Sequence, residues 1–155
     1  MNQLNKMLGL KSPIKSEPSI EDQLLKFQQV NNLLIPEDLK EYFRLLKNTE
    51  MKYNENLYQF YPLSEFKSVG EELKNFNGIP DYSNIVNTLS DYKYCFLFAD
   101  YMFHMFSYAI RLHNNNSGKN EIFIVCGDKY KIIANSFNQF VSLYVSESIE
   151  LQFSD

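Results

Sequence analysis

Four side chains in this sequence have the chemistry to hold a zinc ion: Cys95, His104, His113 and Cys126. Protein zinc sites draw on ligands preorganised by short spacings, such as Cys-x-x-Cys or two histidines one helical turn apart. Neither spacing occurs here. His104 and His113 also have opposite parity along one expected strand, so their side chains leave opposite faces. We expect no metal, and we expect both cysteines to be core thiols, the usual place of a free cysteine. Nucleophilic chemistry fares no better. Neither cysteine sits in a glycine-rich elbow, no serine stands in Gly-x-Ser-x-Gly, and the five glycines are scattered singly rather than gathered in a phosphate loop. That leaves Asp100, Tyr101 and His104. An Asp–His pair can do acid–base work, but an aspartate at a strand end also caps the turn that follows. We read Asp100 as such a cap and expect no catalytic residue, no cofactor and no enzymatic activity. The same three residues form the densest polar–aromatic cluster and are the candidate partner-binding rim.

These residues hang on one strand. Tyr94 to Ala99 is a continuous apolar run rich in aromatics, which reads as a central strand buried on both faces. Beyond it, Phe103 to Leu112 alternates: His104, Phe106, Tyr108, Ile110 and Leu112 share one face, and Met105, Ser107, Ala109 and Arg111 the other. The polar run Asn114 to Lys119 is a turn signal. Glu121 to Val125 then pairs back as the second arm of a hairpin. Gly127-Asp128 makes another turn before a short strand, Tyr130 to Ile133. Earlier, Leu57 to Tyr61 alternates as a strand stopped by Pro62. Ser64 to Phe66 reads as a turn and Val69 to Phe76 as a short helix, while Asn77 to Asp91 carries no clear signal.

Helices stand at both ends of this β-rich middle. Ser19 is a candidate N-cap with Asp22 three residues on. Ile20, Leu24 and Phe27 give that helix one apolar stripe, and Asn31-Asn32 closes it. Pro36 suits the first turn of a second helix. Glu37, Asp38 and Glu41 complement its dipole, and Leu39, Tyr42, Phe43 and Leu46 form its buried face. Near the end, Ser136 and Gln139 make a capping box, and Phe137, Phe140, Val141 and Tyr144 share one helical face. Before all of this, Leu4, Met7 and Leu8 fit one amphipathic turn, which Pro13 and Pro18 prevent from extending. We expect residues 1–18 to be a loosely ordered leader and 19–155 a single domain.

At 155 residues the chain is long enough for one domain with a real core. Its net charge of −4 argues against nucleic acid as a direct partner, since phosphate neutralisation needs clustered Lys and Arg. Lys131 is the last basic residue; beyond it only Glu147, Glu150 and Asp155 are charged. An acidic end of this kind reads first as a solvated surface; the sharper reading is a surface that attracts a basic partner. Met1 to Lys15 lacks the apolar core of a secretory signal, and no apolar run approaches membrane-spanning length. A cytoplasmic protein with reduced thiols and no membrane contact is the expectation.

Five segments together resemble the SUKH superfamily, the Smi/Knr-like proteins. They are Leu34-Ile35-Pro36-Glu37-Asp38-Leu39-Lys40-Glu41-Tyr42-Phe43, Tyr61-Pro62-Leu63-Ser64-Glu65-Phe66, Phe96-Leu97-Phe98-Ala99-Asp100-Tyr101, Ser107-Tyr108-Ala109-Ile110 and Ile133-Ala134-Asn135-Ser136-Phe137-Asn138-Gln139-Phe140. The ordered set runs from about Ser19 to about Val145. The resemblance implies an α+β fold, a mixed or mostly antiparallel sheet flanked by N- and C-terminal helices. It also implies an immunity protein that binds and neutralises a cognate bacterial polymorphic toxin, often a nuclease, by occluding its active site. The other role it implies is a non-enzymatic adaptor or scaffold of the same fold, as in a eukaryotic branch that scaffolds cell-wall signalling. No catalytic residue comes with it. One departure stands out. Many members have a glycine in the turn after the Phe-Ala-Asp stretch, where this chain has Met102-Phe103-His104-Met105.

Overall fold

The computed structural model describes residues 2–9, 18–46, 51–73 and 76–153. In chain order its elements are α1 (Asn2–Leu8), α2 (Pro18–Asn31), α3 (Glu37–Leu46), β1 (Tyr58–Phe60), β2 (Lys67–Ser68), α4 (Val69–Leu73), α5 (Ile85–Thr88), β3 (Cys95–Tyr101), β4 (Phe106–Arg111), β5 (Ile122–Cys126), β6 (Lys129–Ala134) and α6 (Phe137–Val145). Short 3-10 turns occupy Leu63–Glu65 and Ile149–Leu151.

The six strands form one antiparallel sheet in the order β1-β3-β4-β5-β6, with β2 also on β3. β1 faces Ala99 to Tyr101 and β2 faces Phe96 and Leu97, so the two are halves of one interrupted edge. Pro62 explains the interruption, because it has no N–H to give the ladder. The Tyr61 amide still donates to the Phe98 carbonyl at 2.8 Å. β3 is buried on both faces, as its unbroken apolar run predicts. Phe96 and Phe98 join the larger core cluster, under the helices, while Cys95 and Leu97 join a smaller one with Val69, Leu73, Tyr82 and Ile85. A bulge between Leu97 and Ala99 shifts the alternation by one residue. Asp100 therefore leaves the face of Phe96 and Phe98 and sits beside Tyr61.

α6 is fixed by its cap. Ser136 Oγ accepts the Gln139 N–H at 3.1 Å, and Gln139 Oε1 reaches back to the Asn135 N–H at 2.7 Å. Phe137 and Phe140 are fully buried against Phe98. Tyr144 is half-buried and packs its ring on Tyr58 and Phe60. α3 starts one residue after Pro36, whose carbonyl accepts the first helical N–H from Lys40 at 3.0 Å. α2 closes on Asn32 at φ 53, a left-handed position that asparagine tolerates.

Several boundaries differ from the sequence reading. α2 begins at Pro18, so Ser19 lies inside its first turn rather than capping it. Proline suits a first helical turn, where its missing N–H costs nothing, whereas Pro36 stands one residue before α3. The leader expectation gives way over residues 2–8: Leu4 and Met7 are each 3% exposed and extend the larger core, with α1 packed on α6. Their one apolar face has somewhere to go. Residues 10–17 lie outside the described residues. β4 starts at Phe106 instead of Phe103, because Met102 to Met105 form a turn.

Candidate functional site

The start of β1, the turn between β3 and β4, and the end of α6 meet at one end of the sheet. Asp100 organises the first two. Its side chain is fully buried and saturated with donors. Tyr53 OH donates to Oδ1 and Tyr61 OH to Oδ2, both at 2.6 Å. Gln59 Nε2 donates to Oδ2 and the His104 backbone N–H to Oδ1, both at 3.1 Å. Burial pushes both tyrosine hydroxyls well above their ordinary pKa, and the neighbouring carboxylate pushes them further. They stay protonated and keep donating. A carboxylate so enclosed spends its acceptor sites on the chain's own donors and ties them together.

What it holds is a turn without glycine. Met102, Phe103 and His104 have φ of 51°, 56° and 67°, three successive left-handed residues. Such a backbone costs an L-residue about 1–2 kcal/mol each. Local bonds secure it. The Met102 N–H donates to the Leu57 carbonyl at 2.8 Å, and the Met105 N–H to the Tyr101 carbonyl at 3.0 Å. From the opposite side, Tyr82 OH donates to the His104 carbonyl at 2.6 Å. The Phe103 ring leans on Tyr53, centroids 4.6 Å apart, and the His104 ring on Phe76 at 5.0 Å. The outcome is an apolar apex facing solvent: Phe103 is 69% exposed, with Met102, Met105 and Leu57 close to 40% each.

The end of α6 supplies the third side. Its last turn closes with the Ser148 N–H on the Leu143 carbonyl at 2.9 Å and the Glu147 N–H on the Tyr144 carbonyl at 3.1 Å. Glycine favours the position after such a helix end, but here Glu147 occupies it at φ 56. Beside it opens a cleft of about 390 Å³ whose walls include Tyr58, Tyr101, Tyr144, Glu147 and Ile149. The Tyr58 ring stands 5.0 Å from Tyr101 and 4.9 Å from Tyr144. Among the described residues, six other than glycine have positive φ, and five of them, Leu57, Met102, Phe103, His104 and Glu147, lie at this end. Backbone strain gathers where structure is over-determined for function.

The three rim residues expected from sequence therefore divide. Asp100 braces the rim from inside and is not a contact residue, a correction that follows from its complete burial. Tyr101 is half-buried and borders the cleft. His104 is half-buried in the turn, its Nε2 3.8 Å from Asp100 Oδ2. Sequence reasoning missed the exposed Met102, Phe103 and Met105 and the donors Tyr53, Gln59 and Tyr61. The signal for the former was the missing glycine. The four zinc-type residues are not brought together: Cys95 and His113 lie at the other end of β3 and β4, roughly 20 Å away at strand rise, while His104 and Cys126 lie at this end. Among the described residues no group of three or more His, Cys, Asp or Glu is placed to hold a metal ion. Burial pushes the Cys95 thiol up to about 12, an inert core sulfur. Among the described residues no helix is long and apolar enough to cross a membrane.

Comparison with known proteins gives one match. The sequence model of the SMI1 / KNR4 family (SUKH-1) matches residues 18–143. No curated protein and no solved structure matches the chain.

Proposed function

The chain belongs to the SMI1 / KNR4 family (SUKH-1), and on that premise we propose that it is an immunity protein, which binds a cognate toxin domain and neutralises it by covering the toxin's active site. The observation that carries this reading is the apex: exposed apolar side chains on a strained turn that Asp100 fixes from within. A monomer gains nothing from holding Phe103 in water on a costly backbone. A binding protein does, because a preorganised aromatic anchor loses little entropy on association. The same end carries Glu147, one of the acidic residues beyond Lys131 expected to steer a basic partner. The chain acts by contact and contributes no chemistry of its own.

Co-expression with candidate bacterial toxin domains tests the reading. Growth should be restored, and the two proteins should co-purify. Death despite soluble, folded protein rules out neutralisation of that toxin. Survival without a complex favours an adaptor or an indirect effect.

A further inference from the structure

We infer that the cleft beside the apex, between Tyr101, Tyr144 and Glu147, is a subsite for an arginine side chain of the protein partner. The partner's identity rests on the immunity reading; the cleft does not.

Three observations converge on this ligand chemistry. First, the cleft has aromatic walls with a carboxylate at their edge. The Tyr58 ring packs on both Tyr101 and Tyr144, and Glu147 is the charged member of the lining; Lys6 and Lys52 line the adjoining cavity that Glu147 also borders. A planar guanidinium stacks on tyrosine faces and can pair with a carboxylate through two parallel N–H donors. Second, Glu147 is misplaced as a purely structural residue. Its φ of 56 is the left-handed position where glycine is the stable choice. Its carboxylate makes no hydrogen bond or ion pair among the described residues. Third, the cleft adjoins the apex without a gap. Tyr101 precedes Met102 in the chain and pairs with Tyr58, and Ile149 adds a further exposed apolar side chain on the far rim. A partner seated on Phe103 therefore presents its neighbouring surface to this cleft. With a volume of about 390 Å³, the cleft has room for one long side chain.

Two arms test it. The first uses the free protein: an amide NMR titration with N-acetyl-arginine amide, and with N-acetyl-citrulline amide as the uncharged isostere. Saturable shifts at Tyr101, Tyr144 and Glu147 are expected with arginine alone, and Glu147→Gln should weaken them at least ten-fold. No saturable shift, equal shifts with citrulline, or full binding by the variant would overturn the inference. The second arm uses the complex with whichever toxin domain the co-expression test identifies. Glu147→Gln and Glu147→Lys should weaken it by about five-fold and more than fifty-fold. Unchanged affinity in both removes the subsite and leaves neutralisation standing. Arginine amide binding without any toxin complex removes neutralisation of that toxin and leaves the subsite. Glu147 is exposed, so neither variant threatens the fold.

Discussion

Replacing Glu147 by glycine should raise stability and lower partner affinity at the same time. Glu147 follows the end of α6 at φ 56, with its N–H on the Tyr144 carbonyl. A left-handed L-residue costs about 1–2 kcal/mol. Glycine removes that cost but loses about 0.4–1 kcal/mol more chain entropy on folding. The exposed side chain contributes little packing, so the net gain by these two terms centres on about 0.8 kcal/mol, within a range of about 0–1.6 kcal/mol. At 155 residues each kcal/mol moves the midpoint by about 2–4 °C, which predicts a rise of about 1–4 °C. Calorimetry on wild type, Glu147→Gly and Glu147→Ala separates the contributions. The alanine variant keeps the strained backbone and should melt near wild type. Both variants lack the carboxylate and should bind the partner, or arginine amide, equally poorly. A glycine variant melting at or below the alanine variant would show that the position is unstrained, and the argument for Glu147 would fail with it.

Other consequences follow from the core and the brace. Asp100→Asn replaces a charged acceptor of four hydrogen bonds by a neutral one and should cost about 2–3 kcal/mol in urea unfolding, since bonds to charged groups contribute more than neutral ones; a loss under about 1 kcal/mol contradicts the brace. Phe140→Ala removes a ring packed between Phe98 and Tyr108 and should cost about 3–5 kcal/mol. A melt showing little change would place that face of α6 in solvent. Burial raises the pKa of Tyr42, Tyr61, Tyr82 and Tyr108 above the unfolded value of about 10. Raised folded values mean that their contribution is complete below about pH 10 and drains away as pH climbs above it. Absorbance at 295 nm should therefore show exposed tyrosines ionising near pH 10 and the buried ones only in a later unfolding step; a single reversible class near pH 10 would refute their burial.

Much of this fold is legible in the sequence because local chemistry and tertiary packing agree. Pro36 and Ser136 start helices by their own backbone logic, and the stripes of Leu39, Tyr42, Phe43 and of Phe137, Phe140 face the core as their spacing predicts. The apolar run of β3 marks a doubly buried strand. The site is harder to read for two reasons. The bulge after Leu97 breaks strict alternation, so parity assigns Asp100 to the wrong face. The turn at Met102 to His104 has left-handed geometry without the glycine that announces it, so it reads as the start of β4. β2 is two residues long, too short for any periodic signal, and α5 lies in a stretch without one. The charge pattern beyond Lys131 was visible, but only the fold brings Glu147 to the rim beside Tyr101.

The central claim is that the strained end of the sheet is the face that binds. Its most direct test is the affinity of the toxin domain for wild type and for Phe103→Ala, measured by calorimetry with thermal melts alongside. Phe103 is 69% exposed, so its ring matters little for folding. As an anchor, it should contribute about 2 kcal/mol or more to binding, a loss of roughly thirty-fold or greater. A folded Phe103→Ala protein that binds within three-fold of wild type would contradict the account.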